Sequence, residues 1–293
     1  MDIFTRVMKF EVPPNCGEKK LVAFLRGELH FSYSLVSSLR HTDGALLRNG
    51  EHVRTIDRVN PGDIITVSVP QGECRIEPVE MPLCILYKDE DMLALNKPPT
   101  IAMHPTHGHR NNTLANGAAY YLQNRGHSGA FRSVGRLDKG TSGVVLCALN
   151  PYAAARLSET AEKTYMALCE GELCGQGIID VPIYRPDPDK TLRACDPGGQ
   201  NGERAVTHYE ALKTGNGMTL LRLKLETGRT HQIRVHMAHM GFPLVGDALY
   251  GTTREDVTHQ LLHCAEVRAV HPYTGERMVF SAPLPDEFLM IQN

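Results

Sequence analysis

Short apolar runs separated by turn residues dominate the chain between residues 84 and 225. Runs of this length, bounded by Gly, Pro, Asn or Asp, are typical of β-strands. They predict strands at 84–87, 92–96, 143–149, 165–169, 206–212 and 219–225. Asn150 followed by Pro151 is a typical helix start, and a helix is predicted over residues 153–161. Because strands dominate and helices are interspersed, the pattern predicts a mixed α/β or α+β sheet rather than a helical bundle.

The amino-terminal part of the chain has its own pattern of shorter elements. These are helices at 19–29 and 34–40 and strands at 45–47, 52–55 and 64–69, with turn signals at 43–44 and 60–63. Residues 77–82 are poor in apolar side chains and include two prolines, as linkers do. We therefore predict a small domain at 1–72, a linker at 73–80 and a larger domain at 81–293.

Composition changes this picture little. Lys and Arg number 31 and Asp and Glu 33, so the net charge is −2 and no strong overall field attracts nucleic acid or membrane. A local basic groove would still suffice for an RNA partner. The apolar run 143–149 is far shorter than the roughly 20 residues of a membrane span. The first residues lack the basic start and apolar stretch of a signal peptide, so we expect a cytoplasmic protein that does not bind membranes.

Histidines form two groups in the sequence, which are His104, His107 and His109, and then His231, His236 and His239. No pair has the i, i+4 spacing with an intervening Glu that is typical of a zinc helix. We therefore expect no metal site, and we interpret both groups as polar side chains near a polyanion.

A first candidate for chemistry is the loop at residues 135–143, directly before an apolar strand. Its carboxylate, Asp138, is flanked by Arg136 and Lys139, whose charges favour the ionised form. An ionised Asp on a loop next to a rigid strand can act as nucleophile or as base. From spacing alone, the simpler interpretation is a solvated turn whose Asp caps nearby amides.

Two further segments carry aromatic or basic groups. Tyr165 lies near the start of a strand, where its ring could stack on a planar base or simply pack in the core. Residues 226–239 suggest a strand, a glycine turn and a helix that begins near Thr230. Arg229 and Arg234 lie at the amino-terminal part of that helix, where phosphate or carboxylate is readily bound.

Together and in this order, the three segments resemble the RluA-type pseudouridine synthases. That family has an H-R-L-D-x-x-T-S-G loop, a K-x-Y-x-A strand and a G-R-T-H-Q-I-R-V-H-M segment, which match residues 135–143, 163–167 and 228–237. The resemblance extends from Met81 to about Pro283. Residues 17–70 resemble, less specifically, the small RNA-binding domain named after a ribosomal small-subunit protein (S four).

The resemblance implies an α+β catalytic domain with a mixed, mainly antiparallel sheet, plus a small α/β RNA-binding domain. It implies an enzyme that flips a uridine out of structured RNA and isomerises it to pseudouridine without a cofactor. We expect this enzyme to be a monomer. The substrate would be ribosomal RNA, favoured for the large subunit, or tRNA.

The resemblance also assigns roles to single residues. Asp138 matches the essential carboxylate, Arg229 the basic residue paired with it, and Tyr165 the ring that packs on the uracil. Arg136 matches the Arg that fills the space left by the flipped base. The remaining residues expected to contact RNA are Lys139, His231 and Arg234. Whether the carboxylate forms a covalent adduct or acts as a base stays open.

One position departs from the family pattern. Gly135 stands where the family usually has His, so we expect a change in how the loop sits or contacts RNA. It also leaves an alternative function open, which is an inactive RNA-binding protein that retains the fold. The intact set of Asp138, Tyr165 and Arg229 argues against that alternative.

Overall fold

Two main sheets organise the protein in a computed structural model that describes residues 4–70, 74–106, 108, 110–127 and 130–291. Within those residues, no helix is long and apolar enough to cross a membrane. The eight cysteines, all of them described, are free thiols.

The first sheet lies in the amino-terminal region. Its elements are β1 (Phe4–Glu11), a 3-10 turn (Pro14–Cys16), β2 (Lys19–Lys20), α1 (Leu21–Ala23) continued by a π-helical turn (Phe24–Glu28), α2 (Tyr33–Arg40), β3 (Leu46–Arg48), β4 (Glu51–His52), β5 (Arg58–Val59) and β6 (Ile64–Pro70). The sheet has the order β1-β6-β3-β4 and is antiparallel, and β2 pairs with β5. The predicted helix over 19–29 begins only at Leu21, because Lys19 and Lys20 pair with β5 as a strand.

The second sheet contains ten strands, which come from residues 84–281. The remaining elements are β7 (Cys84–Lys88), β8 (Met92–Lys97), α3 (Leu114–Gln123), β9 (Arg132–Ser133), β10 (Ser142–Ala148), α4 (Pro151–Thr160), β11 (Glu162–Glu170), β12 (Gln176–Asp180), β13 (Ile183–Tyr184), β14 (Ala194–Cys195), β15 (Val206–Gly215), β16 (Met218–Leu225), α5 (Gln232–His239), β17 (Leu262–Val270), β18 (Arg277–Ser281) and a 3-10 turn (Asp286–Ile291). The helix start predicted at Asn150 is confirmed, since its side chain accepts from the amide of Ala153.

The large sheet has the order β12-β15-β16-β11-β17-β10-β8-β7, with β18 on β17 and β9 on β10, while β13 and β14 form a separate hairpin. Within it, β10 and β17 pair in parallel and the other assigned pairs are antiparallel. This confirms the predicted mixed, mainly antiparallel sheet of an α+β fold.

The parallel contact between β10 and β17 depends on a glycine. Gly143 has φ +106°, and a Cβ atom there would overlap the carbonyl oxygen of Cys264. A larger residue would therefore push the strands apart. Because β10 is buried along its whole length, the loop that precedes it enters the sheet at a fixed position. Asp138 lies in that loop.

The two regions contact each other through polar and aromatic groups. Arg6 of β1 donates to both carboxylate oxygens of Asp91, at 3.1 and 3.2 Å. Tyr152 of α4 is buried in the apolar cluster of the small region and stacks, tilted, on Phe31 with ring centroids 4.4 Å apart. Residues 74–83 contain no helix or strand. The boundaries at 72 and 80 stay a prediction.

Candidate active site

Asp138 lies on a loop whose neighbouring residues Lys139 and Thr141 are held by hydrogen bonds. Lys97, at the end of β8, donates from Nζ to the carbonyl of Lys139 at 2.9 Å and to two other carbonyls. Thr141 accepts from the side-chain amide of Gln260 at 3.2 Å. Burial lowers the pKa of Lys97 to about 7, and the charge of Asp138 opposes this shift. The hydrogen bonds of Lys97 and Gln260 thus hold the loop on the carboxyl-terminal side of Asp138 before any substrate binds.

The carboxylate of Asp138 faces two nitrogen groups of the segment that contains α5. Its Oδ2 accepts from Nη1 of Arg234 at 3.1 Å and lies 3.9 Å from Nε2 of His231. The side chain of Asp138 is 26% exposed, whereas that of Arg234 is 9% exposed. The acid is thus accessible to a ligand while its basic partner is enclosed.

A second carboxylate fixes the orientation of Arg234. Asp247 is fully buried and accepts from Nε and Nη2 of Arg234 at 2.7 and 2.8 Å. Burial by itself would lower the pKa of Arg234, but the hydrogen bonds and charges of Asp247 and Asp138 raise it. One nitrogen of a charged, doubly anchored guanidinium is therefore directed at Asp138.

The expected pairing of Arg229 with Asp138 is wrong. Arg229 instead bonds through Nη1 to the carboxylate of Glu203 and through Nε to the carbonyl of Arg204. The cause is local, since the side chain of Gln232 accepts from the amide of Arg229 and fixes the turn before α5. This turn directs Arg229 away from the acid.

Helical spacing could have identified the correct partner. His231 and Arg234 are three residues apart, so they share one face at the start of α5. Both face Asp138, and Arg234 had been expected only to contact RNA. Asp247 and Tyr250 support that face, since Asp247 accepts from Arg234 and the hydroxyl of Tyr250 lies 2.8 Å from Nδ1 of His231.

Asp138 and Tyr165 line one cavity of about 980 Å³. Tyr165 is buried in β11. Its pKa is raised well above the usual value by burial, and further by the nearby Cys264 and Asp138. The phenol is therefore neutral at physiological pH. Arg229, His231, Arg234 and Arg136 also line this cavity, so the structure brings most of the expected site residues together.

The two basic neighbours of Asp138 have different positions. Arg136 is exposed and lines the cavity. Lys139 is exposed too, but it is not among the described residues that line the cavity, and its backbone carbonyl accepts from Lys97.

Positive charge is concentrated at this cavity. Its lining includes seven basic residues (Arg136, Lys163, Arg222, Lys224, Arg229, Arg234 and Arg268) and four acidic ones (Asp138, Glu162, Glu226 and Glu266). The excess of basic groups contrasts with the chain's net charge of −2. The cavity thus provides a local basic surface of the kind that suits a polyanion.

Gly135 has a structural role in the loop before Asp138. Its φ is +72°, and a Cβ atom there would lie 2.8 Å from Nζ of Lys163. Lys163 donates to the carbonyl of Val134 at 2.8 Å, and burial lowers its pKa. A side chain at position 135 would displace this lysine. The glycine therefore leaves Lys163 access to the loop backbone, and the expected difference from a loop with His at this position stays a prediction.

Two other histidines of these groups, His236 and His104, have hydrogen-bond partners other than His231. His236 is fully buried, and its nitrogens contact the hydroxyl of Thr207 and the carbonyl of Val181, so its placement near a polyanion is wrong. His104 contacts the hydroxyl of Ser133.

His107 and His109 lie outside the described residues. Among residues whose positions are described, no group of three or more His, Cys, Asp or Glu side chains could hold a metal ion.

Comparison with known proteins gives one consistent family. The family described as RNA pseudouridylate synthase matches residues 91–239. A Bacillus subtilis protein named "Uncharacterized RNA pseudouridine synthase YjbO" is 39% identical, over 89% of this chain and 94% of its own. "Ribosomal large subunit pseudouridine synthase D" of Haemophilus influenzae is 35% identical, over 97% of this chain and 93% of its own. The solved structure of "Human RNA Pseudouridylate Synthase Domain Containing 1" aligns with a TM-score of 0.58 at 28% identity, over 71% of this chain and 86% of that one.

Proposed function

The chain belongs to the RNA pseudouridylate synthase family, and we propose that it isomerises specific uridines of large-subunit ribosomal RNA in the cavity around Asp138. The observation that carries the assignment of the site is the contact between Asp138 and Arg234. An accessible carboxylate accepts a hydrogen bond from an enclosed guanidinium beside a cavity that Tyr165 also lines.

The reaction requires little beyond these groups. The bond between ribose C1′ and uracil N1 breaks, the ring turns, and C1′ bonds to C5; the proton on C5 leaves and N1 gains a proton. No electrons and no group pass to another molecule, so no cofactor is required. Asp138 supplies the carboxylate, either as a nucleophile or as a base. Arg234 donates a hydrogen bond to it and orients it toward the substrate.

The uridine must leave the RNA stack to reach this carboxylate, since enzymes that react at a base extrude it into a pocket. We assign the neutral ring of Tyr165 to packing against the uracil, because it lines the cavity and stays protonated. Arg136 is exposed at the same cavity and would occupy the space that the base vacates.

We propose that Arg229 binds the RNA backbone. Its side chain is 40% exposed, it lines the cavity, and its present partner Glu203 is an exposed carboxylate that a phosphate can replace. Arg234 is reassigned from RNA contact to the support of Asp138, because its three nitrogens all have carboxylate partners. Lys139 remains a candidate for RNA contact on the basis of its exposure.

We propose that residues 1–72 act as an RNA-binding domain. Tyr33 is 73% exposed at the start of α2, and Arg26 lies over its ring at 5.7 Å. An exposed aromatic ring beside a guanidinium suits stacking on an unpaired base. We further propose that the whole protein is a monomer and that it acts in the cytoplasm.

Ribosomal RNA is favoured over tRNA because relatives that align over 97% and 84% of this chain are named for the large ribosomal subunit. The test is to incubate the purified full-length protein with unmodified large-subunit and tRNA transcripts and to quantify pseudouridine by mass spectrometry. Pseudouridine in the ribosomal transcript would support the proposal. Tight binding without pseudouridine in either transcript would favour the alternative of an inactive RNA-binding protein. Mapping pseudouridines in cells with and without the gene would then identify the position.

A further inference from the structure

His231 has a backbone conformation that its local structure does not explain. Its φ is +59° and its ψ +17°, in the left-handed region, and it precedes the first residue of α5 without capping the helix through its side chain. Asn or Gly adopts this conformation more readily, and Ser, Thr, Asp or Asn caps helices better. Non-glycine residues held in this region cluster at functional sites. A functional role of His231 must therefore come from its imidazole ring.

The ring of His231 belongs to a chain of polar contacts. Nδ1 lies 2.8 Å from the hydroxyl of Tyr250, and that hydroxyl oxygen accepts from the backbone amide of Arg193 at 2.9 Å. The other ring nitrogen, Nε2, lies 3.9 Å from Oδ2 of Asp138. One ring edge is thus supported by a phenol and the other faces the carboxylate.

The positions of the available protons select one tautomer. If Tyr250 donates its single proton to Nδ1, the neutral ring of His231 carries its proton on Nε2, directed at an acceptor, Asp138. In the other tautomer, the lone pair of Nε2 would face a negatively charged carboxylate. The first arrangement gives both protons an acceptor, whereas in the second the phenol proton of Tyr250 has no acceptor among the residues that the structure describes.

We propose that Tyr250 holds His231 as the Nε2–H tautomer and that His231 is a positioning residue, whose Nε2–H bonds to Asp138 when RNA is bound. This inference rests on the proposed function. The separation of 3.9 Å is beyond a hydrogen bond, and such contacts often tighten only in the substrate complex. Arg234 already contacts the same oxygen, so a shift of about 1 Å would give Asp138 two donors on one side. Its other oxygen would then be left for the substrate.

The surroundings keep His231 neutral near pH 7. Burial lowers its pKa, and the charges of Arg234 and Arg193 lower it further. Asp138 and Asp247 raise it, with a smaller total effect. The neutral form is the one in which the choice of tautomer matters.

The first experiment measures the tautomer in the free, full-length enzyme. Nitrogen-15 NMR of the histidine rings at pH 7.5 distinguishes protonated from unprotonated nitrogens, and the spectrum of a His231→Gln variant identifies the signals of His231. We expect protonated Nε2 and unprotonated Nδ1. Tyr250→Phe removes the phenol proton, so we expect a mixture of tautomers there. As a control, Tyr87→Phe removes a phenol that bonds to Asp89 outside the cavity lining and leaves the His231 signals unchanged.

The second experiment compares two amides at position 231 in single-turnover isomerisation of RNA. A Gln amide nitrogen reaches the place of Nε2, whereas an Asn amide nitrogen reaches only the place of Nδ1. We expect His231→Gln to stay within about 3-fold of wild type and His231→Asn to lose roughly 10- to 100-fold, the range for a hydrogen bond to a charged group. Asn is the better residue for a left-handed backbone, so strain alone predicts the opposite order.

Each outcome decides between these possibilities. Protonated Nδ1 in an active wild-type enzyme overturns the inference and leaves the proposed function intact. So does an Asn variant at least as active as the Gln variant. If wild-type enzyme forms no pseudouridine in any transcript, the proposed function fails, and the role of His231 fails with it.

Discussion

Arg234 donates from Nη1 to Oδ2 of Asp138 at 3.1 Å. Nε and Nη2 of the same guanidinium bond to the fully buried carboxylate of Asp247, so the guanidinium cannot turn away from Asp138. A charge that is already oriented stabilises a developing or attacking anion without reorganisation at the moment of reaction. This arrangement, rather than the loop sequence around Asp138 alone, makes the acid suited to chemistry.

The first prediction concerns Arg234→Lys. An ammonium cannot reproduce a guanidinium that bonds two carboxylates at once, although it keeps the charge beside buried Asp247. We expect the single-turnover rate to fall roughly 10- to 100-fold, as for the loss of a hydrogen bond between charged groups. Rates of pseudouridine formation at saturating RNA provide the measurement.

Arg229→Lys is the matched control for that variant. Its guanidinium bonds the exposed Glu203 and not Asp138, so we expect kcat within about 3-fold of wild type and a higher KM. If Arg229→Lys lowered kcat more than Arg234→Lys, the assignment of Arg234 as the partner of Asp138 would be contradicted.

A second prediction uses Gly135→Ala. A left-handed backbone costs a non-glycine residue about 1–2 kcal/mol, and here the new Cβ also displaces Lys163 from the carbonyl of Val134. Gly275 has a similar φ, +76° against +72°, but nothing lies near its added Cβ. We expect urea unfolding to show Gly135→Ala less stable than Gly275→Ala by about 1 kcal/mol. Equal losses of stability in the two variants would mean that Lys163 moves away from the carbonyl of Val134 without a measurable change in unfolding free energy.

A third prediction concerns pH and Lys97. Burial lowers its pKa in the folded protein to about 7, against 10.5 for an ordinary lysine. Between these values the unfolded chain binds more protons, so the free energy of unfolding rises with pH. Lys97 thus contributes stability that is fully present above about pH 10.5 and is lost as the pH falls through about 7.

The measurement compares wild type with Lys97→Met in urea at several pH values from 7.5 to 9.5. As the pH rises, we expect the unfolding free energy of wild type to increase relative to that of Lys97→Met, by at most about 1.4 kcal/mol per pH unit. A difference that does not change with pH would show that the three carbonyl acceptors keep the ammonium charged.

Much of the fold was predictable because it follows from local pattern. The helix at Asn150 has both of its start signals, and the buried strand β10 is a continuous apolar run. α3 went unpredicted, since Asn116 and Gly117 lower its helix propensity. The parallel pairing of β10 with β17 joins Ser142 to His263, and no local signal reports so distant a contact.

The sequence predicted that Asp138 and Tyr165 lie at one candidate site, as the cavity lining shows, but it did not predict the basic side chain that contacts Asp138. Asp138 and Tyr165 are identified by short motifs that hold within one loop and one strand. The direction of Arg229 depends on the local turn with Gln232 and also on Glu203, which is 26 residues away in sequence and meets it only in the folded protein. The resemblance to a family thus indicated which residues lie at the site, but it did not indicate which arginine bonds to Asp138.

A fourth prediction tests the small region through its surface. Deleting it would uncover buried Tyr152 and remove Arg6 from Asp91, so a point variant is the sharper test. We expect Tyr33→Ala to weaken RNA binding about 10-fold, within the range for one stacked base, at unchanged kcat. Ile178→Ala, which removes another exposed apolar side chain, should leave the Kd unchanged. Equal effects of the two variants would argue against RNA binding at Tyr33.

The most direct measurement of the central claim is the rate of pseudouridine formation by Asp138→Asn on an unmodified large-subunit ribosomal transcript, followed by mass spectrometry. The amide is nearly isosteric with the carboxylate, so we expect folding and RNA binding to persist while the rate falls by at least roughly 10³-fold. Asp256→Asn, which alters an exposed pair with Arg254, provides the control and should react at the wild-type rate. An Asp138→Asn enzyme with near-normal turnover would contradict the assignment of that carboxylate as the reacting group.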